Sequence, residues 1–501
     1  MVDFSKSLSN KRKNKKLSMF DMGSLKSGSS LGSLVTPKIT DETIKGLNPQ
    51  QKDMVVDIAN YLKYKKSKKF FLVQGGGGTG KSYSINRALQ GINPDHIIAA
   101  APSHFAKIVL QNFLGPDYTV ITNAALLGKK VTFNENGEQI LVRINKNIPP
   151  PISRYQIVLL DEGSMLDDDI AEEILSYTEK GNKALIILGD YCQLPPVNQD
   201  HDSIFFENIS AELTIPMRFQ GPLYTLTNCL RDEIIKIRKG LVPTLNIINL
   251  KTDRESLINE DGSGYIFLNS MGTMLAAAIR RFKKGRGTNY VRLLAYRNKT
   301  IEKLNRRIRI GLYGDTPKQF EDGELLINNG GYSAKSISGK MKQIITNGEL
   351  YKVKSATPII GPYDIPCMSL HFYGRSFNVP ILTVAKESQE AYDNTLARLT
   401  RIAKGESRYW KDVFAFKESF AYFNYSYAAS IHKAQGSSIN HVFIVEDDVL
   451  AVKLTSTKEK LQSMYVAISR ASYRAYIYNK NFKVNNKPLN KEALKKDVDE
   501  E

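Results

Sequence analysis

The sequence predicts an α/β protein with two successive series of short buried strands and helices, the second interrupted by a β-rich insertion. Three observations carry this. At 70–82 an apolar run of strand length opens into Gly-Gly-Gly-Gly-Thr-Gly-Lys-Ser, and 83–90 reads as a helix. Apolar runs of strand length recur at 96–101, 156–160 and 184–188, and again at 291–296 and 442–445. Residues 314–423 carry short β runs punctuated by glycine, ahead of a resumed α/β pattern.

At 501 residues the chain holds several domains of the usual ~100–200 residues, and 42% hydrophobic content suffices for ordinary cores. Seventy Lys and Arg against fifty-one Asp and Glu leave +19, which favours a polyanionic partner. Charge alone does not separate DNA from RNA or an anionic membrane. Cys192, Cys229 and Cys367 lie far apart without metal-ligand spacing, so reduced thiols in a cytoplasmic setting are expected. No apolar stretch of ~20 residues is present, and the basic N-terminus lacks the apolar core of a signal peptide, so no membrane association is expected.

Residues 1–40 are rich in Ser, Gly and Lys; eight basic residues against Asp3 and Asp21 leave +6, the composition of a disordered tail. Such a tail is either a loose electrostatic arm or simply solvated. Order begins at Leu47-Asn48-Pro49-Gln50-Gln51, ahead of a helical pattern. Gln51 could offer one donor and one acceptor to an adenine edge, although alone it reads as a surface glutamine.

In the glycine-rich loop, Gly76, Gly77, Gly78, Thr79 and Gly80 let backbone N–H groups surround phosphate oxygens. Lys81 reaches the outer phosphates and Ser82 holds Mg²⁺. After the strand at 96–101, Pro102, Ser103, His104 and Lys107 sit at a strand's C-terminal end, where doubly wound sheets bind ligands, and suit a phosphodiester backbone.

Residues 130–144 read as a hairpin around an Asn-Gly turn, with Phe133 near its tip. A protruding hairpin can wedge between paired bases; the pattern equally fits a surface decoration. The strand at 156–160 ends in Asp161 and Glu162, suited to Mg²⁺ and to the attacking water respectively. After the strand at 184–188, Gln193 could touch a terminal phosphate, and Arg218 could neutralise charge during phosphoryl transfer. A basic helix carrying Lys299, Lys303, Arg306, Arg307 and Arg309 is either a solvated face or close to nucleic acid. The Tyr and Phe residues of 314–423 fit a small β-barrel core, and a helix is expected over 387–404.

The ordered motifs Leu-Asn-Pro-Gln-Gln, Gly-Gly-Gly-Gly-Thr-Gly-Lys-Ser, Ala-Pro-Ser-His, Asp-Glu-Gly-Ser, Gly-Asp-Tyr-Cys-Gln-Leu-Pro-Pro, Ile-His-Lys-Ala-Gln-Gly-Ser-Ser and Val-Ala-Ile-Ser-Arg-Ala span roughly 45–480. Together they resemble superfamily-one DNA helicases of the 1B, RecD-like group. The resemblance implies two RecA-like domains with ATP and Mg²⁺ between them and single-stranded DNA across their top. Domain 1A would span 41–215 with a pin insert at about 125–153, and domain 2A 216–313 and 424–485. An SH3-like domain 2B would occupy 314–423, and 486–501 would form a charged tail. By resemblance Gln51 reads adenine, Gln193 couples the domains, and Arg218 and Arg470 reach across to the γ-phosphate. Pro102, Ser103, His104 and Lys107, with His432, Lys433, Gln435, Ser437 and Ser438, grip the strand or connect it to the ATP site. The pin, including Phe133, splits the duplex at single-strand/double-strand junctions, and movement runs 5′ to 3′. A monomer working beside phage replication or single-strand-binding proteins is the implied setting. Gly163 stands where the family more often has another small residue, and Ser103 where Thr is common.

Overall fold

The computed structural model describes residues 37–482 except 38, 65–67, 134–138, 146, 197–198, 200, 218–220, 244–254, 286, 330–331, 336–340, 346–347, 378 and 453–455. Most of the predicted basic N-terminal tail, the C-terminal tail at 486–501, the hairpin's Asn-Gly turn and Arg218 lie outside the described residues, as does the side chain of Phe133. No described helix is long and apolar enough to cross a membrane.

The first half supplies β1 (Phe71–Gly75), β2 (Ile97–Ala101), β3 (Thr119–Thr122), the hairpin strands β4 (Lys129–Phe133) and β5 (Gln139–Arg143), then β6 (Ile157–Leu160), β7 (Ala184–Gly189) and β8 (Ala211–Leu213). Six of these form one sheet in the order β3-β2-β6-β7-β1-β8, with every neighbouring pair parallel. Parallel strands need helices on both faces, so the inner strands are apolar throughout rather than alternating. Every residue of β1, β2, β6 and β7 is buried. Leu72, Ile98, Val158, Leu160 and Ile187 face one core, and Val73, Ala99, Leu159 and Leu188 face the other. The first of these cores continues into the second domain through Leu294, Ile431 and Met464.

The second half begins with β9 (Leu257–Ile258), β10 (Gly264–Leu268) and β11 (Val291–Ala295). An insertion follows, with β12 (Leu325–Asn328), β13 (Tyr332–Lys335), β14 (Met341–Ile345), β15 (Leu350–Ile360), β16 (Pro366–Phe372), β17 (Ile381–Val384) and β18 (Phe423–Tyr425). The chain then returns through β19 (Ala428–Ser430), β20 (Ile439–Val445) and β21 (Ala471–Tyr478). The second sheet runs β19-β11-β20-β21-β10-β9, parallel except for β9.

In the insertion five antiparallel strands run β17-β16-β15-β12-β18, beside a β13-β14 ribbon. A backbone hydrogen bond from Ala421 to Leu382 O, 2.7 Å, links the two ends of this sheet. Tyr351, Phe372, Tyr332 and Phe320 fill its core, as their β-rich context predicts. The expected helix is Gln389–Gly405. Arg309 departs from the solvated basic face: it is buried, its Nε 2.7 Å from Glu324 Oε1, and Tyr427 donates to the same carboxylate at 3.0 Å. One member of the basic helix therefore fastens the insertion to the second domain.

The hairpin stands apart from both large sheets, in register Lys129↔Arg143 through Phe133↔Gln139. Its base is tied to helix Asp168–Lys180 by the Lys129–Glu173 ion pair and by Arg143 Nη1, 3.2 Å from Tyr177 Oη. Asp167 starts that helix by accepting from Ile170 N–H at 2.9 Å.

His441, buried on β20, packs edge-on against Tyr290 and Tyr473. Burial, then Arg281, Arg474 and Lys284, pushes its imidazole down to about 3. The folded pKa lies below the unfolded value, so the associated stability is complete above the ordinary 6.5 and is lost as pH falls from there towards 3. His441→Phe keeps an aromatic ring and removes the titration. Between about pH 6.5 and 4.5, wild-type unfolding free energy should fall relative to the variant by about 1.4 kcal/mol per pH unit in denaturant titrations. Parallel pH profiles would contradict a neutral, buried imidazole.

Candidate functional site

The glycine-rich loop leaves the C-terminal end of β1 and enters helix Lys81–Ala88, so its N–H groups and the helix's positive end share one side of the sheet. Gly78 and Gly80 take φ of 80° and 83°, the left-handed region. A Cβ on Gly80 would lie 2.4 Å from Gln51 Nε2. Lys81 Nζ lies 2.5 Å from Gly75 O and 3.2 Å from Gly76 O, inside the loop's curve.

Gln51 is fully buried, which corrects its reading as a surface glutamine. Its Nε2 donates to Thr79 O at 3.0 Å and its Oε1 accepts from Asn48 N–H at 3.1 Å. The carboxamide thus braces the phosphate loop from behind.

Asp161 and Glu162 follow β6. Burial first, then Glu162, pushes the Asp161 carboxyl up to about 7, against the opposing pull of Lys81 and the Glu162 N–H. A cation beside it would favour the ionised form. Glu162 adopts φ 52° and ψ 48°, uncommon for a residue with a side chain and costing on the order of 1 kcal/mol. Its O accepts from Met165 N–H at 3.0 Å, holding the turn. Gly163 has a steric reason here, since a Cβ would sit 2.5 Å from Ile187 Cγ2. Loop N–H groups, the Lys81 ammonium, the Ser82 hydroxyl position and an under-compensated Asp161 together fit a nucleoside triphosphate with a divalent cation.

The second domain closes over this group. Tyr465, on helix Thr457–Ser469, donates to Asp190 Oδ2 at 2.7 Å and accepts from Gly77 N–H at 3.3 Å. Arg470 is buried beside the loop: a Cβ on Gly77 would lie 3.8 Å from its Nη2. Gln435 Nε2 donates to Gln193 Oε1 at 3.2 Å, and Gln462 Nε2 donates to Gln193 O at 2.6 Å. A Cβ on Gly436 would stand 3.7 Å from Glu162 Oε1.

Asp190 is the residue whose weight the sequence motif did not reveal. Fully buried after β7, it accepts from Arg231 Nη1 at 3.0 Å, Gln74 Nε2 at 3.2 Å and Cys192 N–H at 3.1 Å, besides Tyr465. Burial opposes the charge on Arg231, yet Asp190 and its neighbours hold that guanidinium above its ordinary value. Arg231 comes from helix Pro222–Arg238, whose sequence reads only as amphipathic.

The candidate strand-contact residues divide. His104 and Lys107 stand in the first turn of helix His104–Leu114, whose start Ser103 caps by accepting from Ala106 N–H at 3.1 Å; Pro102 precedes the cap. The Ser103 oxygen is thereby used as the helix cap, and its O–H stays able to donate. His104 lies beside Gly348 of the insertion, and burial lowers its pKa, with Lys107 adding to the effect. In the second domain Lys433 and Ser438 are exposed, and His432 packs on Tyr296. Gln435 and Ser437 correct the expectation of strand contact. Both are buried: the Ser437 hydroxyl donates to Ala434 O at 2.5 Å, and Gln435 reaches Gln193 across the seam.

Two family models match the chain: residues 46–222 match the AAA domain and residues 425–478 the UvrD-like helicase C-terminal domain. The two matched segments face each other across Gly77 and Tyr465. Among characterised proteins the chain is similar to the ATP-dependent DNA helicase dda of Enterobacteria phage T4, 23% identical over 444 residues, covering 82% of this chain and 95% of that one. It is also similar to the uncharacterized protein R530 of Acanthamoeba polyphaga mimivirus, 22% identical over 515 residues, covering 85% and 98% respectively. Similar solved structures include two coordinating Pif1 helicases at forked duplex DNA, at 15% identity and TM-score 0.45, covering 86% of this chain and 92% of that one. Another is Pif1 from Bacteroides with ADP-AlF3 and single-stranded DNA, at 15% identity and TM-score 0.41, covering 90% and 98%.

Arg231→Met leaves the Asp190 carboxylate buried without its ion-pair partner. Denaturant unfolding should show a loss of about 3–5 kcal/mol, and the double variant with Asp190→Asn should regain part of it. A near-neutral single variant would mean that Gln74, Tyr465 and the backbone donors suffice.

Proposed function

We propose that this protein is an ATP-dependent DNA helicase that tracks along single-stranded DNA, 5′ to 3′, and opens the duplex ahead of it. The observation that carries this reading is the segment 432–438, which meets Glu162 at Gly436 and Gln193 at Gln435 while presenting Lys433 and Ser438 outward. One short segment thus touches both the hydrolytic acids' turn and the strand-facing surface.

In this proposal the loop at 75–82 holds the triphosphate, with Lys81 on the outer phosphates and Ser82 and Asp161 as Mg²⁺ ligands. When bound, Mg²⁺ supplies charge neutralisation between the phosphates. Glu162 orients the attacking water and takes its proton. Gln51 is assigned by resemblance to read adenine, which would require its amide, engaged here by Thr79 O and Asn48 N–H, to turn outward. Arg470 reaches the γ-phosphate from the second domain, with Arg218 assigned the same task by motif, and Gln193 relays the phosphate's presence to Gln435. Pro102, Ser103, His104 and Lys107 on one domain and His432, Lys433 and Ser438 on the other alternate their hold as the cleft opens and closes. The insertion takes the role of the SH3-like brace, and the β4-β5 hairpin that of the pin, with Phe133 assigned to meet the junction. The tandem domains are proposed to be RecA-like, with boundaries at 41–215, 216–313 with 424–485, and 314–423.

Glu162→Gln should keep Mg²⁺-ATP binding and lower DNA-stimulated turnover by about 10²–10⁴-fold. Loss of nucleotide affinity instead would assign that carboxylate to binding.

Strand separation on partial duplexes with a 5′ or a 3′ single-stranded tail, followed together with ATP turnover, tests the whole reading. Opening of the 5′-tailed substrate alone is expected. Opening of the 3′-tailed one would reverse the direction, and DNA-stimulated turnover without opening would reduce the protein to a translocase.

A further inference from the structure

Between helix Asn298–Tyr313 and the insertion lies a cavity of about 740 Å³, within the ~300–1,000 Å³ range of small-ligand clefts. Its lining includes Arg292, Arg306, Lys386, Lys433, Tyr422 and Tyr425. Arg309 also borders it, but that charge is balanced by Glu324.

Arg292 differs from the other buried arginines. It is 6% exposed and stands on β11, the second strand of its sheet. Its Nε has no hydrogen-bond partner, and no ion pair to its guanidinium exists among the described residues. Burial alone pushes it down to about 10. Lys433, exposed along part of its length, has its Nζ donating to Asn329 Oδ1 at 3.1 Å; partial desolvation of the ammonium, then Arg292 as a like charge, lowers its pKa. Arg306 and Lys386 are exposed at the rim, with Glu302 and Asp315 as the acids present.

An unpaired guanidinium in a protein interior is strongly unfavourable unless something compensates it. Arg281 and Arg474 find phenol or carbonyl oxygens, and Arg309 finds a carboxylate. Arg292 faces a roomy cavity beside a second cation. Planar donors in a cavity of positive charge suit a phosphate group.

We propose that this cavity is a phosphate seat, floored by Arg292, that holds a backbone phosphate of the tracked single strand where the second domain meets the insertion. The seat rests on the helicase reading for its source of phosphate, since Lys433 and Ser430 join it to the strand-facing segment at 432–438. Its lining takes in Ser430 and Lys433 but not Gln435 or Gly436, the residues that meet Gln193 and Glu162, so it adds a separate hold on the strand at the insertion's root.

The test is fluorescence-anisotropy titration of full-length protein with labelled oligo-dT across a range of salt, comparing wild type, Arg292→Met and the rim variant Arg306→Gln/Lys386→Gln. Arg292→Met should melt no lower than wild type, because it removes an uncompensated charge. It should bind oligo-dT about tenfold or more weakly, with the log–log salt slope smaller by about one. The rim variant, altered only at exposed positions, should weaken binding in the same direction. Unchanged affinity and slope in both variants would overturn the seat.

A second arm measures thermal stabilisation by tripolyphosphate in a Lys81→Ala background, which takes the phosphate loop out of the readout. Loss of that stabilisation in Arg292→Met with intact DNA binding would overturn the strand as the source, in favour of a free phosphate compound. Failure of wild type to bind oligo-dT would count against the helicase reading, and tripolyphosphate would still report on the seat.

Discussion

The Asp190 carboxylate is the constraint on which the catalytic architecture depends. A buried carboxylate without donors is untenable, and here, besides the adjacent Cys192 N–H, three donors come from separate parts of the chain. Gln74 comes from β1, Arg231 from the helix after the first sheet, and Tyr465 from the second domain. Satisfying one charge therefore fixes the phosphate loop's entry strand, the seam helix and the closing domain relative to each other. The same Tyr465 hydroxyl accepts from Gly77 N–H, so the network extends to an N–H suited to a phosphate oxygen.

Around that centre the two domains share amide contacts beside one ion pair, Lys458 Nζ to Asp202 Oδ1 at 2.9 Å. Gln193, Gln435 and Gln462 join across the seam through neutral hydrogen bonds, each worth about 1 kcal/mol net. Bonds of that size can be exchanged during a cycle. The charged Asp190–Arg231 pair costs much more to separate, and both partners precede the second sheet in sequence. Charged and neutral contacts therefore both hold the closing helix Thr457–Ser469 against the first sheet's loops.

Much of this was legible in the residues. Strand-loop-helix punctuation located the phosphate loop, and unbroken apolar runs identified the inner parallel strands, because both signals are local. Asp161 and Glu162 were legible as a pair at a strand end. Gln51 was not, because its environment is made by Thr79 and Asn48 folding around it. Arg231 and Arg309 read as ordinary helix-face cations; their partners, Asp190 and Glu324, are brought to them only by the tertiary fold. Gln435 and Ser437 sit in a motif whose polar character suggests surface, whereas the turn at Gly436, with φ 75°, directs both inward. What sequence conveys least is which polar side chains the fold turns inwards.

The attachment of the β4-β5 hairpin has a mechanical consequence. Both of its base contacts, from Lys129 and from Arg143, land on helix Asp168–Lys180, at Glu173 and Tyr177, one turn apart. That helix starts at the Asp167 cap, a few residues after Glu162 and its left-handed backbone. A load on the hairpin would therefore be carried along a capped helix, a stiff strut, towards the turn that holds Glu162. The hairpin's footing and the left-handed turn at Glu162 thus share one rigid member.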